Sequence, residues 1–313
     1  MKKLISICVP CYNEVENVQQ LSEELIKQLE QFPQYDFEII FIDNCSIDGT
    51  QKKLRDLCKN DRRIKVILNA QNYIYTSSLY VMYQAKGDCI ISFVADFQIP
   101  VELVSQSIIE WEKGAKAVIF LKKPGAHDKY RLFRKLYYKL SSLFSNNLSI
   151  AGFTGAGLYD KSFFDTCKAL NDPLFSITYM VLHHAYPLVR ITYDEQARRS
   201  GKSSNSFFRL INIAILKFTR ISDLAPHYAI VIGLIMGLAS FLISIYYLVR
   251  KLIDWDHFPV GVAPLVIGMF FLGSLQLIFI GLIGEYVLQI NERQKSKNRP
   301  LVTEKERINF DEH

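Results

Sequence analysis

Cys89-Ile90-Ile91-Ser92-Phe93-Val94-Ala95-Asp96-Phe97-Gln98-Ile99-Pro100 is the stretch on which the reading of the fold turns. Cys89 to Ala95 form an almost wholly apolar run of strand length without the alternation of a half-exposed strand. That is the pattern of a strand buried on both faces in a parallel sheet. A single carboxylate, Asp96, follows the run, and in open α/β sheets ligands bind just beyond the carboxyl ends of such strands. An Asp in that place also serves commonly as a turn former or helix cap, so its role has to be read from the rest of the chain.

On either side the same grammar repeats. Ile5 to Val9, Phe37 to Ile42, Ile64 to Leu68 and Ala117 to Leu121 read as further strands. Between them Val18, Leu21, Leu25, Leu29 and Phe32 recur at helical spacing, as do Leu103, Ser107, Ile108 and Trp111 after the helix-opening Pro100. Strands alternating with helices predict a doubly wound, mostly parallel α/β sheet covered on both faces. Gly152-Phe153-Thr154-Gly155-Ala156-Gly157 reads as a flexible loop.

The chain has 313 residues, half of them hydrophobic, with 37 basic and 31 acidic side chains and a net charge of +6. A balance that mild selects no partner class. Six cysteines are scattered at 8, 11, 45, 58, 89 and 167. Cys8 and Cys11 have the spacing of a redox pair, but no second such pair completes a zinc site, and reduced, buried thiols are the simpler reading. The short apolar run after Met1-Lys2-Lys3 has no small-residue cleavage site, so no signal peptide is expected.

The second half changes character. Leu132, Phe133, Leu136, Leu140, Leu143 and Phe144 form one stripe, flanked by Lys129, Arg131, Arg134, Lys135 and Lys139, and a similar basic amphipathic pattern runs from Phe207 to Arg220. Such helices suit an anionic membrane surface. Tyr228 to Val249 and Val262 to Gly284 are uncharged apolar runs, each long enough to cross a bilayer as a helix. Arg209, Lys217 and Arg220 precede the first run, and Arg293, Lys295, Lys297 and Arg299 follow the second, so the positive-inside rule places both termini in the cytoplasm. The expected organisation is an α/β domain over residues 1–200, an interfacial amphipathic helix over 201–227, a two-helix transmembrane domain over 228–290 and a cytoplasmic tail over 291–313.

Short motifs fall at the strand ends: Pro10-Cys11-Tyr12-Asn13-Glu14, then Asp43 with Ser46-Ile47-Asp48-Gly49-Thr50, then Asp96-Phe97-Gln98. An acid after strand two can accept hydrogen bonds from a base or ribose, and an acid after strand four can carry a divalent cation for a diphosphate. With Gly284-Glu285-Tyr286 and Arg299-Pro300, these residues resemble the inverting family 2 glycosyltransferases of GT-A (Rossmann-like) fold. They are most similar to the membrane-anchored branch that moves a sugar from a nucleotide donor to polyprenyl or dolichyl phosphate.

The resemblance implies that Pro10, Tyr12, Glu14 and Asp43 hold the nucleotide, that Asp96 takes Mg²⁺ or Mn²⁺, and that Gln98 sits near the donor sugar and diphosphate. Arg198, Arg199 and Lys202 fall where the family binds the lipid phosphate. The implied partners are a nucleotide sugar, polyprenyl (undecaprenyl) phosphate and the lipid bilayer, without a nucleic acid polymer. Related tetramers leave room for a homo-oligomer. The implied place of work is the inner face of the cytoplasmic membrane, making a lipid-linked sugar for a cell-surface polysaccharide. Val94, Asn44, Ile99 and Ser204 depart from the family pattern. They motivate one alternative, a catalytically weak or silent relative serving as an assembly partner. A membrane transferase with a hydroxyl acceptor is a further alternative, against which the carboxylate-free Gly155 to Gly157 speak.

Overall fold

In the computed structural model, residues 2–73, 76–123, 152–169, 177, 180–181, 186–196 and 302–310 are described, with a scatter of helical positions between 249 and 290. The order is β1 (Lys3–Cys11), α1 (Val18–Leu29), β2 (Tyr35–Asp43), α2 (Thr50–Asn60), β3 (Ile64–Asn69), α3 (Thr76–Gln84), β4 (Cys89–Ser92), α4 (Leu103–Glu112), β5 (Ala117–Lys122), β6 (Phe153–Asp160), α5 (Lys161–Ala169), β7 (Leu188–Tyr193) and β8 (Glu304–Ile308). All eight strands join one sheet in the order β7-β5-β6-β4-β1-β2-β3-β8.

The continuous apolar runs have the cause expected of them. Ile39 and Phe41 pack with α1, α2 and α4 on one face, whereas Ile40 and Ile42 pack with α3 and α5 on the other. A strand covered on both sides has no polar face to show in its sequence. The same alternation disposes of a redox pair, because Cys8 belongs to one face's core and Cys11 to the other's. Burial pushes both thiols well above their ordinary pKa, with nearby carboxylates adding to the effect.

The sheet is mostly parallel, with β1, β2, β3, β4, β5 and β7 in one direction, whereas β6 lies antiparallel between β4 and β5, and β8 lies antiparallel beside β3. Two expectations need correction. The strand at Cys89 ends at Ser92 rather than at Ala95, although Phe93 and Ala95 stay buried. The glycine-rich segment from 152 to 157 is largely the start of β6 rather than a loop. Its glycines answer close backbone packing, since a Cβ at Gly157 would lie 2.3 Å from the Val118 carbonyl and one at Gly152 2.3 Å from the Lys122 carbonyl.

Among the described residues no helix is long and apolar enough to cross a membrane. The amphipathic stretches at 129–144 and 207–220, the first apolar run up to residue 248 and about half of the second run lie outside the described residues.

One buried charge fixes the middle of the sheet. Glu38 on β2 is only 3% exposed and accepts hydrogen bonds from Ser6 Oγ (2.5 Å) and the Lys86 amide (3.1 Å), with Lys65 Nζ at 2.7 Å. Removing one partner of such a pair leaves a charge dehydrated and alone, so Glu38→Ala is expected to cost about 3–5 kcal/mol in urea unfolding. Replacing Glu38 and Lys65 together by Met should cost much less. A loss below about 1 kcal/mol for Glu38→Ala would show that the pair is hydrated in solution.

Candidate functional site

The carboxyl ends of β1, β2 and β4 meet at one edge of the sheet. Cys11 pairs with Asp43 and Cys8 with Ser92, and the ladders close with Asn44 N to Cys11 O (3.0 Å) and Phe93 N to Cys8 O (3.0 Å). Just beyond each end, one residue other than glycine adopts the left-handed conformation: Asn13 (φ 57°), Cys45 (φ 62°) and Phe97 (φ 58°). Such backbones are uphill and persist where surrounding structure enforces them, most often at ligand sites.

What enforces the first two is a set of bonds between the motif loops. The Asn13 amide donates to Ser46 Oγ (2.8 Å), the Ile47 amide to Asn13 Oδ1 (3.0 Å) and the Glu14 amide to Thr50 Oγ1 (2.9 Å). Asp48 accepts from the amides of Val15 (3.1 Å) and Thr50 (3.0 Å). Burial opposes its ionisation, but those bonds and the Thr50 hydroxyl prevail and hold its carboxyl below the usual range. Ser46, Asp48 and Thr50 thus bind loop to loop, leaving Tyr12 and Ile47 projecting, 43% and 86% exposed.

Asp43 is wholly covered. Its Oδ2 accepts from the Ser46 amide (2.9 Å) and Gln51 Nε2 (2.8 Å), whereas Oδ1 has no partner. Asn69, ending β3, repeats this: its Nδ2 donates to Asn44 Oδ1 and Ser77 Oγ (both 3.0 Å), and its Oδ1 has none. Buried acceptors are rarely left so. Both lie at carboxyl ends of adjacent strands, and either meets a ligand donor only after local opening.

Between β1 and β4 the strand order reverses, the place where open α/β sheets form ligand crevices. A cavity of about 240 Å³ opens there, lined among others by Pro10, Ser78, Met82, Val94, Gly155 and Ala156. Val94 lines it with a methyl surface where the family resemblance would put a first acid. Asp96, 8% exposed, takes the Gln98 amide on Oδ1 at 3.2 Å, so it does form the turn its position allows. The Gln98 carbonyl accepts the Gln196 amide (3.2 Å). Tyr193 ends β7 close enough to feel this site: burial first, then the charges of Glu195 and Asp96, push its phenol up to about 12.

Pro10, Tyr12, Glu14, Asp43, Asp96 and Gln98 are therefore carried to one edge of the sheet by three strands. Glu14 also organises α1, its carboxylate accepting Asn17 Nδ2 (2.5 Å). Arg198, Arg199 and Lys202 lie outside the described residues. Gln51, Asn69, Ser77 and Tyr193 escaped sequence reasoning. Gln51 sits one residue past its motif and the others carry no motif at all. Among the described residues no group of three or more His, Cys, Asp or Glu side chains is placed to hold a metal ion. Asp96 supplies one carboxylate of the donor type that hard divalent cations take.

The sequence model of Glycosyl transferase family 2 matches residues 6–165. An uncharacterized glycosyltransferase of Synechocystis sp. is 26% identical over 304 residues, covering 96% of this chain and 95% of that protein. A bactoprenol glucosyl transferase of Shigella phage SfX is 26% identical over 303 residues, covering 95% and 98%. An undecaprenyl-phosphate 4-deoxy-4-formamido-L-arabinose transferase of Proteus mirabilis is 27% identical over 308 residues, covering 94% and 91%.

Proposed function

The chain belongs to glycosyl transferase family 2, and from that premise we propose that it transfers a sugar from a nucleoside diphosphate to polyprenyl phosphate at the cytoplasmic face of a membrane. The observation that carries this reading is the match in length: relatives named for bactoprenol and undecaprenyl phosphate align over more than nine-tenths of both chains, including the apolar C-terminal third. The N-terminal sheet is read as a GT-A domain with its donor crevice between β1 and β4.

In this reading Tyr12 offers an exposed ring for stacking a base, and Asp43 Oδ1 an acceptor for a base or ribose donor. Glu14 and Pro10 shape the loop beneath, and Gln98 lies beside the donor sugar. Asp96, with the donor's diphosphate, holds Mg²⁺ or Mn²⁺, which when bound offsets negative charge on the departing diphosphate. Arg198, Arg199 and Lys202 hold the acceptor phosphate.

The chemistry asks for no general base. A phosphate monoester with a second pKa near about 6 is already a nucleophilic anion at neutral pH. One of its oxygens attacks the anomeric carbon, the bond from that carbon to the diphosphate oxygen breaks, and the nucleoside diphosphate leaves with the electron pair, inverting the centre. In keeping with this, the cavity-lining Thr154, Gly155 and Ala156 bring no carboxylate, which disfavours a hydroxyl acceptor.

Two features support the membrane topology. Four apolar side chains of the second run, Leu265, Met269, Ile280 and Ile283, are each more than 60% exposed, a surface that calls for apolar surroundings. β8 follows that run and pairs with β3, so an even number of crossings lies between the α/β domain and the chain's end.

The test is purified protein in detergent with polyprenyl phosphate, Mg²⁺ or Mn²⁺ and labelled UDP-, GDP- and dTDP-sugars. A mild-acid-labile glycolipid is expected. Nucleotide binding without turnover from any donor would instead support a silent assembly partner, a reading that the single carboxylate at Asp96 favours.

A further inference from the structure

Residues 302–310 return to the sheet. β8 covers the free edge of β3, and Val302 is 3% exposed. Between Leu68 and Asn69 the register slips, so that Leu68 faces Glu306 while Asn69 faces Glu304. A bulge of this kind re-aims side chains, and here it lets one short strand reach both layers of helices.

On one face Glu306 receives Arg55 of α2 through Nε and Nη2 (3.0 and 2.6 Å), and Ile308 packs on the core that includes Leu54 and Cys58. On the other, the Tyr80 hydroxyl of α3 donates to Glu304 Oε1 (2.7 Å) and Arg307 donates to Gln84 Oε1 (3.0 Å). Ahead of the strand, the Ala70 amide donates to the Thr303 carbonyl (2.9 Å) and the Thr303 amide to the Tyr73 hydroxyl (3.0 Å).

Both helices so gripped serve the candidate site. Arg55 stands one turn after Gln51, which donates to Asp43. Tyr80 and Gln84 share one side of α3, while Ser78 and Met82, also four residues apart, line the cavity, and Ser77 joins Asn44 and Asn69. We propose that β8 is a positioning element for the donor site, strapping α2 to α3 across the end of β3 and fixing Asn69 to Tyr73 and α3. This rests on the reading of that crevice as the donor site. Glu306 and Arg55 are positioning residues, and neither touches the substrate.

The test reverses the pair in the full-length protein. Glu306→Arg is expected to raise the donor KM about five- to tenfold, the equivalent of losing one good bidentate pair. It should leave kcat nearly unchanged and speed hydrogen exchange over residues 70–84. Arg55→Glu should do the same, and the double exchange should restore both readouts. Glu306→Gln serves should either reversal fail to fold. An unchanged donor KM with β8 amides released, or a double exchange that restores nothing, overturns the proposal. A wild-type protein that uses no donor sinks the functional reading instead, and unaltered exchange over 70–84 in Glu306→Arg would then still sink this one.

Discussion

Asp96→Asn is expected to lower turnover by about 10²–10³-fold or more while leaving the fold unchanged. The substitution is nearly isosteric, and its remaining oxygen can still accept the Gln98 amide, now bound at 3.2 Å, so the turn that carries Phe97 at φ 58° survives. What goes is the negative charge. With no cluster of three ligating side chains among the described residues, a divalent cation loses its protein anchor when that one carboxylate goes. The loss should therefore appear in metal-dependent kcat, with nucleotide affinity in the absence of metal and the unfolding midpoint both close to wild type. Full activity in this variant would remove Asp96 from the mechanism and with it the case for a metal ion here.

Asp43→Asn is expected to weaken nucleotide binding about 10²-fold at nearly constant stability. Both neighbours of Oδ2, the Ser46 amide and Gln51 Nε2, are donors, so the amide oxygen must stay on their side. The new NH₂ then takes the place of the unpartnered Oδ1 and turns an acceptor into a donor. A base or ribose donor arriving there meets another N–H, and an unmet buried polar contact costs about 1–3 kcal/mol. Asp43→Ala should add a stability loss of similar size by releasing Ser46 and Gln51. Calorimetry with UDP and GDP, alongside thermal unfolding, separates the two effects. Nucleotide affinity unchanged in Asp43→Asn would reduce Asp43 to a loop organiser.

Much of this was legible in residue order because its causes are local. Strands β1 to β5 announced themselves as apolar runs, since a strand covered on both faces needs apolar side chains at every position. The strand-end motifs were legible because a ligand edge in a parallel sheet needs turn formers and acids immediately after apolar runs. The missed strands had signals overridden by packing. β6 was hidden by its glycines, which allow backbone approach at 2.3 Å to a would-be Cβ rather than flexibility. β7 and β8 were hidden by their polar faces, Arg190 on one and Glu304, Glu306 and Arg307 on the other.

By itself the sequence determined the alternation of strand and helix, the burial of both sheet faces, the family, and which acids follow which strands, all consequences of neighbours along the chain. Only the tertiary structure decided the antiparallel place of β6, the unpartnered oxygens of Asp43 and Asn69, and the return of residues 304–308 to β3 more than 230 positions earlier. Those depend on hydrogen bonds between distant segments. A backbone donor or acceptor has the same chemistry in every residue but proline, so no residue type records where its partner lies.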